Sequence, residues 1–387
     1  MSRYARILKR RNWVVAVGLL GLPAMACAYT LPKPYEIDAG PLGRLGVQGV
    51  VSAFAFAQNH PQGAGGTLGA KHEGLDLSNA LVIVQKDQGL VQFYLEGGAY
   101  NYPTLASGFS STSNTLQQFG ALPIAYLSIV PNAHFSLQVG KLPSLIGVES
   151  GFTYENIDIE RGLLWNVAPN ISRGVQLNGH WGALTASLAW TDGYYSDRFN
   201  NLSGALSYAL DAHNSMGFYG GGNLGRAGGN TSSATGGNIS DGADDSAIYG
   251  LSYSYDAEPW ALTTYVQYMH TPRQPDIGLT QSFHNLGVGV LGSYHWTPHW
   301  SLGGRVEYLE VSGSGAASPY AQGITNLPGD SHAWSLTLTP SFRQGAFFAR
   351  AEFSYVRAFS PSGQGFAGPR GKDRSQTRGL LETGLLF

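Results

Sequence analysis

Charge is scarce in this chain. Asp, Glu, Lys and Arg make up 12% of 387 residues, about half the share of an ordinary soluble domain. Disorder is excluded, because it needs abundant charge and few aromatics, and aromatics here reach 12%. A coiled coil is excluded for want of Glu, Lys and Leu in heptads. The 23 basic residues do not outnumber the 25 acidic ones, so the electrostatic footprint of a nucleic-acid binder is missing. Repeated apolar runs of about 20 residues are also missing, which excludes a bundle of membrane helices. Cys27 is the single cysteine, so no disulfide framework can form. What is plentiful is Gly, at 53 residues, with 21 Tyr. That composition suits strands and turns.

The first 28 residues read as a secretory signal peptide. Arg3, Arg6, Lys9, Arg10 and Arg11 form a basic head, Trp13 to Leu22 an apolar core, and Ala26-Cys27-Ala28 a small-x-small cleavage site before Tyr29. The apolar run is too short for a membrane span. Lipoprotein processing at Cys27 is the rival reading, disfavoured by Ala24 and Met25. Removing five of the 23 basic residues leaves 18 against 25 acids, a net charge of −7, and no cysteine.

Beyond this segment the dominant signal is a period of two. Trp260, Leu262, Thr264, Val266 and Tyr268 share one face, and Ala261, Thr263, Tyr265 and Gln267 the other. In 335–342, Leu336, Leu338 and Phe342 oppose Ser335, Thr337, Thr339 and Ser341. In 347–355, Phe347, Ala349, Ala351, Phe353 and Tyr355 oppose Arg350, Glu352 and Ser354. About sixteen such segments occur, each near the roughly 10 residues a tilted strand needs to cross a bilayer. They fall at 44–58, 76–86, 90–100, 120–130, 134–142, 172–181, 183–192, 202–210, 214–223, 246–255, 259–270, 283–296, 300–311, 332–343, 346–357 and 377–387. Their connections alternate. Asp87-Gln88-Gly89, Pro131-Asn132-Ala133, Asp211-Ala212-His213, Asp256-Ala257-Glu258, Thr297-Pro298-His299 and Gln344-Gly345 are tight turns. The stretches 59–75, 101–119, 224–245, 312–331 and 358–376 are long and rich in Gly, Ser and Asn.

This alternation predicts an all-β fold: a transmembrane antiparallel β-barrel of about 16 strands with short periplasmic turns and long extracellular loops. A Gram-negative outer membrane is the expected location, with residues 29–43 a periplasmic segment and 44–387 the barrel. The apolar faces carry no charge between their rims, where Arg or Lys would cost about 2–4 kcal/mol. Lys141, Glu310 and Arg357 lie at the predicted outer ends. Trp181, Trp260, Trp296 and Trp300 flank tight turns, where an indole gains from the headgroup boundary. Pro340 removes a ladder donor, close to a tight turn. Phe387, with Leu385, Thr383, Leu381 and Gly379 alternating behind it, reads as a barrel-assembly signal. The expected partners are outer-membrane lipid and lipopolysaccharide, the assembly machinery, small polar solutes and a homo-oligomer. No cofactor is called for.

The runs Gly140-Lys141-Leu142-Pro143-Ser144-Leu145-Ile146-Gly147-Val148-Glu149, Ile159-Glu160-Arg161-Gly162-Leu163-Leu164-Trp165-Asn166-Val167-Ala168-Pro169 and Gly174-Val175-Gln176-Leu177 resemble the β-barrel porins of the OmpL-like type. Leu142 and Ser144 depart from the aromatic or acidic residues expected after Gly-Lys. The resemblance implies a porin-like outer-membrane protein, and leaves its solute open.

The connection 143–171 is the longest and least polar, so it is expected to fold into the lumen and narrow it. It brings Glu149, Glu155, Asp158 and Glu160. Lumen-facing positions offer Arg44, Arg305, Glu307, Arg343, Arg350, Glu352, Arg378 and Glu382. Acids on the loop facing guanidinia across a narrow aqueous gap would set a transverse field; alternatively, these charges pair and brace the wall. Asp241, Asp244 and Asp245 form an acidic loop that could hold Ca²⁺ or simply be solvated. Gly287 to Gly292 matches a dinucleotide fingerprint only literally, since no helix follows. A diffusion channel needs only a wet lumen, which about sixteen strands provide. The other readings are an adhesion or structural barrel and a barrel hydrolase, the latter resting on His270, His284, Ser282 and Asp276.

Overall fold

A computed structural model describes residues 30–227, 241–313, 325–368 and 371–387. The proposed signal peptide lies outside the described residues. Among the described residues seventeen strands occur in this order: β1 (Tyr35–Asp38), β2 (Arg44–Gln58), β3 (Glu73–Lys86), β4 (Val91–Tyr100), β5 (Ile124–Asn132), β6 (Phe135–Pro143), β7 (Ile171–Trp181), β8 (Leu184–Thr191), β9 (Asn201–Ala209), β10 (Asn214–Asn223), β11 (Ala247–Ala257), β12 (Trp260–Thr271), β13 (Phe283–His295), β14 (Trp300–Ser312), β15 (Ser331–Gln344), β16 (Phe347–Phe359) and β17 (Ser375–Leu386). From β2 onward each strand pairs antiparallel with the next, and β17 returns to β2 from Arg378↔Gln58 to Leu386↔Val50. The sheet therefore closes as a 16-stranded barrel and leaves no edge, which lipid demands of every backbone group. β1 is an addition not read from the sequence: four residues pair with the start of β2.

The period of two sorts the side chains as expected. Trp260, Leu262, Val266 and Tyr268 face outward and are exposed, while Thr263, Tyr265 and Gln267 are buried inside. At one end no connection exceeds four residues, and at the other all are longer. Trp181, Trp260, Trp296 and Trp300 ring the tight-turn end, with Trp296 and Trp300 stacked at 6.5 Å. At Thr339 and Pro340 the ladder to β16 lapses, then resumes in the same register at Ser341↔Arg350.

Three tight turns share a fastening. His134, His213 and His299 each place Nδ1 2.9 Å from a carbonyl of the neighbouring hairpin, on His180, Asp256 and Arg343. The same three carbonyl-bearing residues donate their N–H groups back to the histidine carbonyls. Asn132 Oδ1, Asp211 Oδ1 and Thr297 Oγ1 accept the histidine N–H and fix each turn. Against a carbonyl, Nδ1 must carry the proton.

Two long connections leave the solvent. The polar stretch after β4 predicts an outside loop. Instead Leu105, Ala106 and Phe109 are buried, and helix α1 (Thr112–Phe119) follows with Ser111 as its N-cap. The residues between β6 and β7 pack against them, with Leu105 N–H to Arg161 O at 2.9 Å and Arg161 N–H to Pro103 O at 2.8 Å. Their apolar side chains supply the physical reason: Leu145, Ile146, Leu163, Leu164 and Val167 join lumen residues such as Tyr265, Met269 and Phe283 in one buried cluster. No helix of the described residues is long and apolar enough to cross a membrane.

Candidate functional site

The segment between β6 and β7 meets the barrel wall in a reciprocal arrangement. Loop carboxylates hold wall guanidinia. Arg305 on β14 donates to Glu149 Oε1 at 2.6 Å and to Glu160 O at 2.9 Å, and lies 3.5 Å from Asp158. Arg378 on β17 donates to Glu160 Oε1 at 2.6 Å and to Thr104 O at 2.8 Å. Wall carboxylates in turn hold loop amides. Glu307 accepts Leu163 N–H at 2.8 Å and Leu164 N–H at 3.1 Å, and Glu352 accepts those of Ile159 and Glu160. Between these, Arg350 pairs with Glu382 and donates to Asn156 O at 2.8 Å and Thr153 O at 3.0 Å. Glu382 also accepts from Thr153 Oγ1 at 2.8 Å.

The side chains of Arg305, Arg350, Glu307, Asp158 and Glu382 are all fully buried. The anticipated aqueous gap between loop acids and wall guanidinia is therefore closed: they touch, and the contact is dry. Buried charge is tolerated only when paired and hydrogen-bonded; every side chain here has an ionic partner, but Asp158 Oδ2 and Arg305 Nε make only ion-pair contacts, at 3.5 and 3.3 Å, without a hydrogen bond. Burial pushes the Glu149 and Asp158 carboxyls up, with Arg305 opposing the shift.

Gly162 lets the loop approach this closely. A Cβ there would lie 2.2 Å from Glu307 Oε1 and 2.7 Å from Glu149 Oε2. Gly140, with φ +147° on β6, is a second required glycine, since a Cβ would meet Ala125 O at 2.2 Å.

Three residues proposed from the sequence for this group stand elsewhere. Arg44 is exposed at the tight-turn rim and pairs with Glu36 at 3.1 Å. Arg343, the penultimate residue of β15, lies at the same rim, its Nε 3.5 Å from Gly345 O. Both sit at strand starts or ends, where the lumen face opens to solvent. Glu155 belongs to the loop but turns from the guanidinia; it accepts from Ser150 Oγ, and burial raises its carboxyl's pKa. Leu385 and Phe387 point outward and are half-exposed, and Phe387 closes the barrel by a two-way backbone pair with Gly49.

Sequence reasoning passed over other functional residues. Arg161 organises the loop from inside: its guanidinium donates to Gly151 O at 2.9 Å and Ile159 O at 2.5 Å. It lies within the quoted motif, so its position was the available signal. Glu96, on the lumen face of β4 with Gln92 and Tyr94, accepts from Tyr154 Oη at 3.0 Å and Tyr94 Oη at 3.1 Å. A lone acid on a polar strand face was its only sequence mark.

Space remains on one side of the lumen. A cavity of about 320 Å³ opens toward the tight turns, bounded by Gln48, Gln85, Tyr94, Glu96, Tyr126 and the residues after β6. A second, of about 340 Å³, opens toward the long loops, bounded by Thr104, Ser110, Gln118, Tyr194 and Asp244. Tyr102, Trp165, Pro169, Asn170 and Ile171 line both. They form the partition between the two chambers. Tyr102 and Trp165 ring centroids lie 5.9 Å apart.

Among the described residues no group of three or more His, Cys, Asp or Glu could hold a metal. The Asp241 side chain lies outside the described residues. Asp245 Oδ1 accepts from Ala227 N–H at 2.6 Å and Asn223 Nδ2 at 2.9 Å, so amides engage it.

A family model described as "Putative beta-barrel porin-2, OmpL-like" matches residues 44–387. Among solved structures, outer-membrane expressed OmpT of Vibrio cholerae superposes with a TM-score of 0.57 at 10% identity, covering 92% of this chain and 100% of that one. The outer membrane channel DcaP of Acinetobacter baumannii gives 0.56 at 11% identity, covering 92% and 100%. At such identities the likeness is one of fold. No curated protein matches the chain.

Proposed function

This chain belongs to the OmpL-like β-barrel porin family and resides in the outer membrane, and from that premise we propose that small polar solutes cross it along one side of the lumen. The path runs beside β3 to β7, through the two chambers and the partition of Tyr102, Trp165 and Asn170. The loop 143–171 fills the remaining cross-section, and its buried ion pairs are anchors rather than a field facing solute. The observation that carries this reading is the end-to-end pair of cavities sharing one wall. A lumen this wide is otherwise open in a 16-stranded barrel, so the loop sets the aperture. Residues 30–43 would line the periplasmic mouth, where Thr30 and Leu31 border the inner chamber.

Diffusion needs no catalytic group. Asp276, which a hydrolase would aim at His270 or His284, is engaged by Arg226 at 2.7 Å. A homo-oligomer, lipopolysaccharide contact and recognition of Phe387 and Leu385 by the assembly machinery complete the reading.

The test is conductance in planar bilayers and swelling of proteoliposomes with graded solutes. Trp165→Ala should raise single-channel conductance by removing the larger ring of the partition. If solutes of every size are excluded and no conductance appears, the porin reading fails. If conductance exists but Trp165→Ala leaves it unchanged, the path lies elsewhere.

A further inference from the structure

The inner chamber has an unbalanced lining. Three carboxyl side chains border it, from Glu96, Glu149 and Glu155, and among the described residues no Lys, Arg or His does. Glu149 is answered by Arg305 at 2.6 Å. Glu96 and Glu155 have no cationic side chain within ion-pair distance among the described residues; their partners are the hydroxyls of Tyr94, Tyr154 and Ser150. Arg161, whose charge acts on Glu155, donates from its two terminal nitrogens to backbone carbonyls, and its buried Nε–H meets no partner. Glu96 is 2% exposed. A desolvated carboxyl without a counter-charge holds its proton more tightly, and a cation entering the site favours its ionised form.

Six aromatic residues, Tyr94, Tyr102, Tyr126, Phe152, Tyr154 and Trp165, share the lining with aliphatic and amide side chains. Tyr94 and Tyr126 stack with centroids 5.6 Å apart, and Tyr102 lies 5.9 Å from both Phe152 and Trp165. Ring faces attract cations, most strongly where water is excluded. At the partition, Tyr102 Oη and Asn170 Nδ2 are sealed from solvent and meet no hydrogen-bond partner of normal geometry. Other atoms of both residues line the chamber. About 320 Å³ matches the lower range of small-molecule pockets.

Building on the porin reading, we propose that this chamber is a binding site for small organic cations: an ammonium group beside Glu96 and Glu155, with its apolar body on the Tyr94 and Tyr126 rings. Inorganic cations satisfy the charge alone, neutral sugars the rings alone, and anions neither. The site would make the channel selective for solutes that combine both features.

The experiment uses the full mature protein in planar bilayers carrying KCl current, with benzyltrimethylammonium, benzoate and glucose added in turn. The expected result is reversible block by benzyltrimethylammonium, at least tenfold stronger than by benzoate or glucose. Glu96→Gln with Glu155→Gln should weaken that block at least tenfold. Should the double variant fail to insert, Glu155→Gln alone and Tyr126→Leu must each weaken it measurably. Equal block by the three probes, no block in channels that conduct KCl, or block indifferent to these substitutions overturns the cation site and leaves the porin reading standing. Absence of any KCl current would overturn the porin reading itself.

Discussion

Arg350→Met tests whether the lumen ion pairs are anchors. In the native chain Arg350 pairs with Glu382 inside the wall, and donates to the carbonyls of Thr153 and Asn156 on the loop. Methionine keeps much of the apolar stem but removes the charge. Glu382 then remains fully buried, with the Thr153 and Ser52 hydroxyls as its remaining donors. Breaking a buried pair from one side costs about 3–5 kcal/mol, which is roughly two to three and a half decades in an equilibrium constant. Because the lost bonds join wall to loop, much of that cost falls on loop docking. The expected phenotype is a larger, noisier single-channel conductance and a lower temperature for the heat-induced shift in gel mobility. Arg350→Met with Glu382→Gln should recover most of the loss, since the stranded charge is gone. A single variant whose conductance noise and thermal shift match the parent would refute the anchoring argument. So would a double variant no better than the single. A change in ion preference alone, with the loop undisturbed, would mean that Arg350 faces water after all.

Three further outcomes follow from other parts of the molecule. Gly162→Ala places a Cβ 2.2 Å from Glu307 Oε1; overpacking of this kind costs about 1–3 kcal/mol, and calorimetry in detergent should register a lower transition with conductance fluctuations like those of Arg350→Met. His213→Ala removes the link to Asp256 O at 2.9 Å on the exposed rim, worth about 0.5–1.5 kcal/mol at most; conductance should not change, because the rim lies away from the partition. Glu155 carries a carboxyl held up by burial, against the hydrogen bonds of Ser150 and Tyr154 and the charge of Arg161. The folded state thus binds its proton more tightly than the unfolded one, so its contribution is largest at acid pH. That contribution is lost as pH rises from the ordinary carboxylate range through the raised value. Thermal scans at about pH 5 and 8 should therefore show a smaller fall for Glu155→Gln than for the parent; an equal fall would remove Glu155 from the account.

The barrel was legible because lipid imposes a rule on every strand. Outward residues must be apolar and the backbone must close on itself, so Trp260 to Tyr268 or Phe347 to Tyr355 shows its face without reference to any neighbour. Strands β2 and β10 begin and end where the alternation places them. The lumen obeys no such local rule. Arg305 and Arg44 look alike on a strand; only the path of the loop makes the first a buried anchor and the second a rim residue. That path is fixed by contacts far apart in sequence, such as Glu307 with Leu163 and Leu164. The acids of the loop suggested an open field because their partners could be named but not their distances. Glu96 shows the converse. As one acid on a polar strand face it carried no sign of function; it acquires one when the loop brings Tyr154 to it and Arg305 answers Glu149 instead. The charge left without an opposite is thus a product of the loop's packing, and loosening the loop should abolish cation selectivity together with the narrow aperture. Selectivity that survives in Arg350→Met channels of enlarged conductance would separate the two and place the discriminating charge outside the inner chamber.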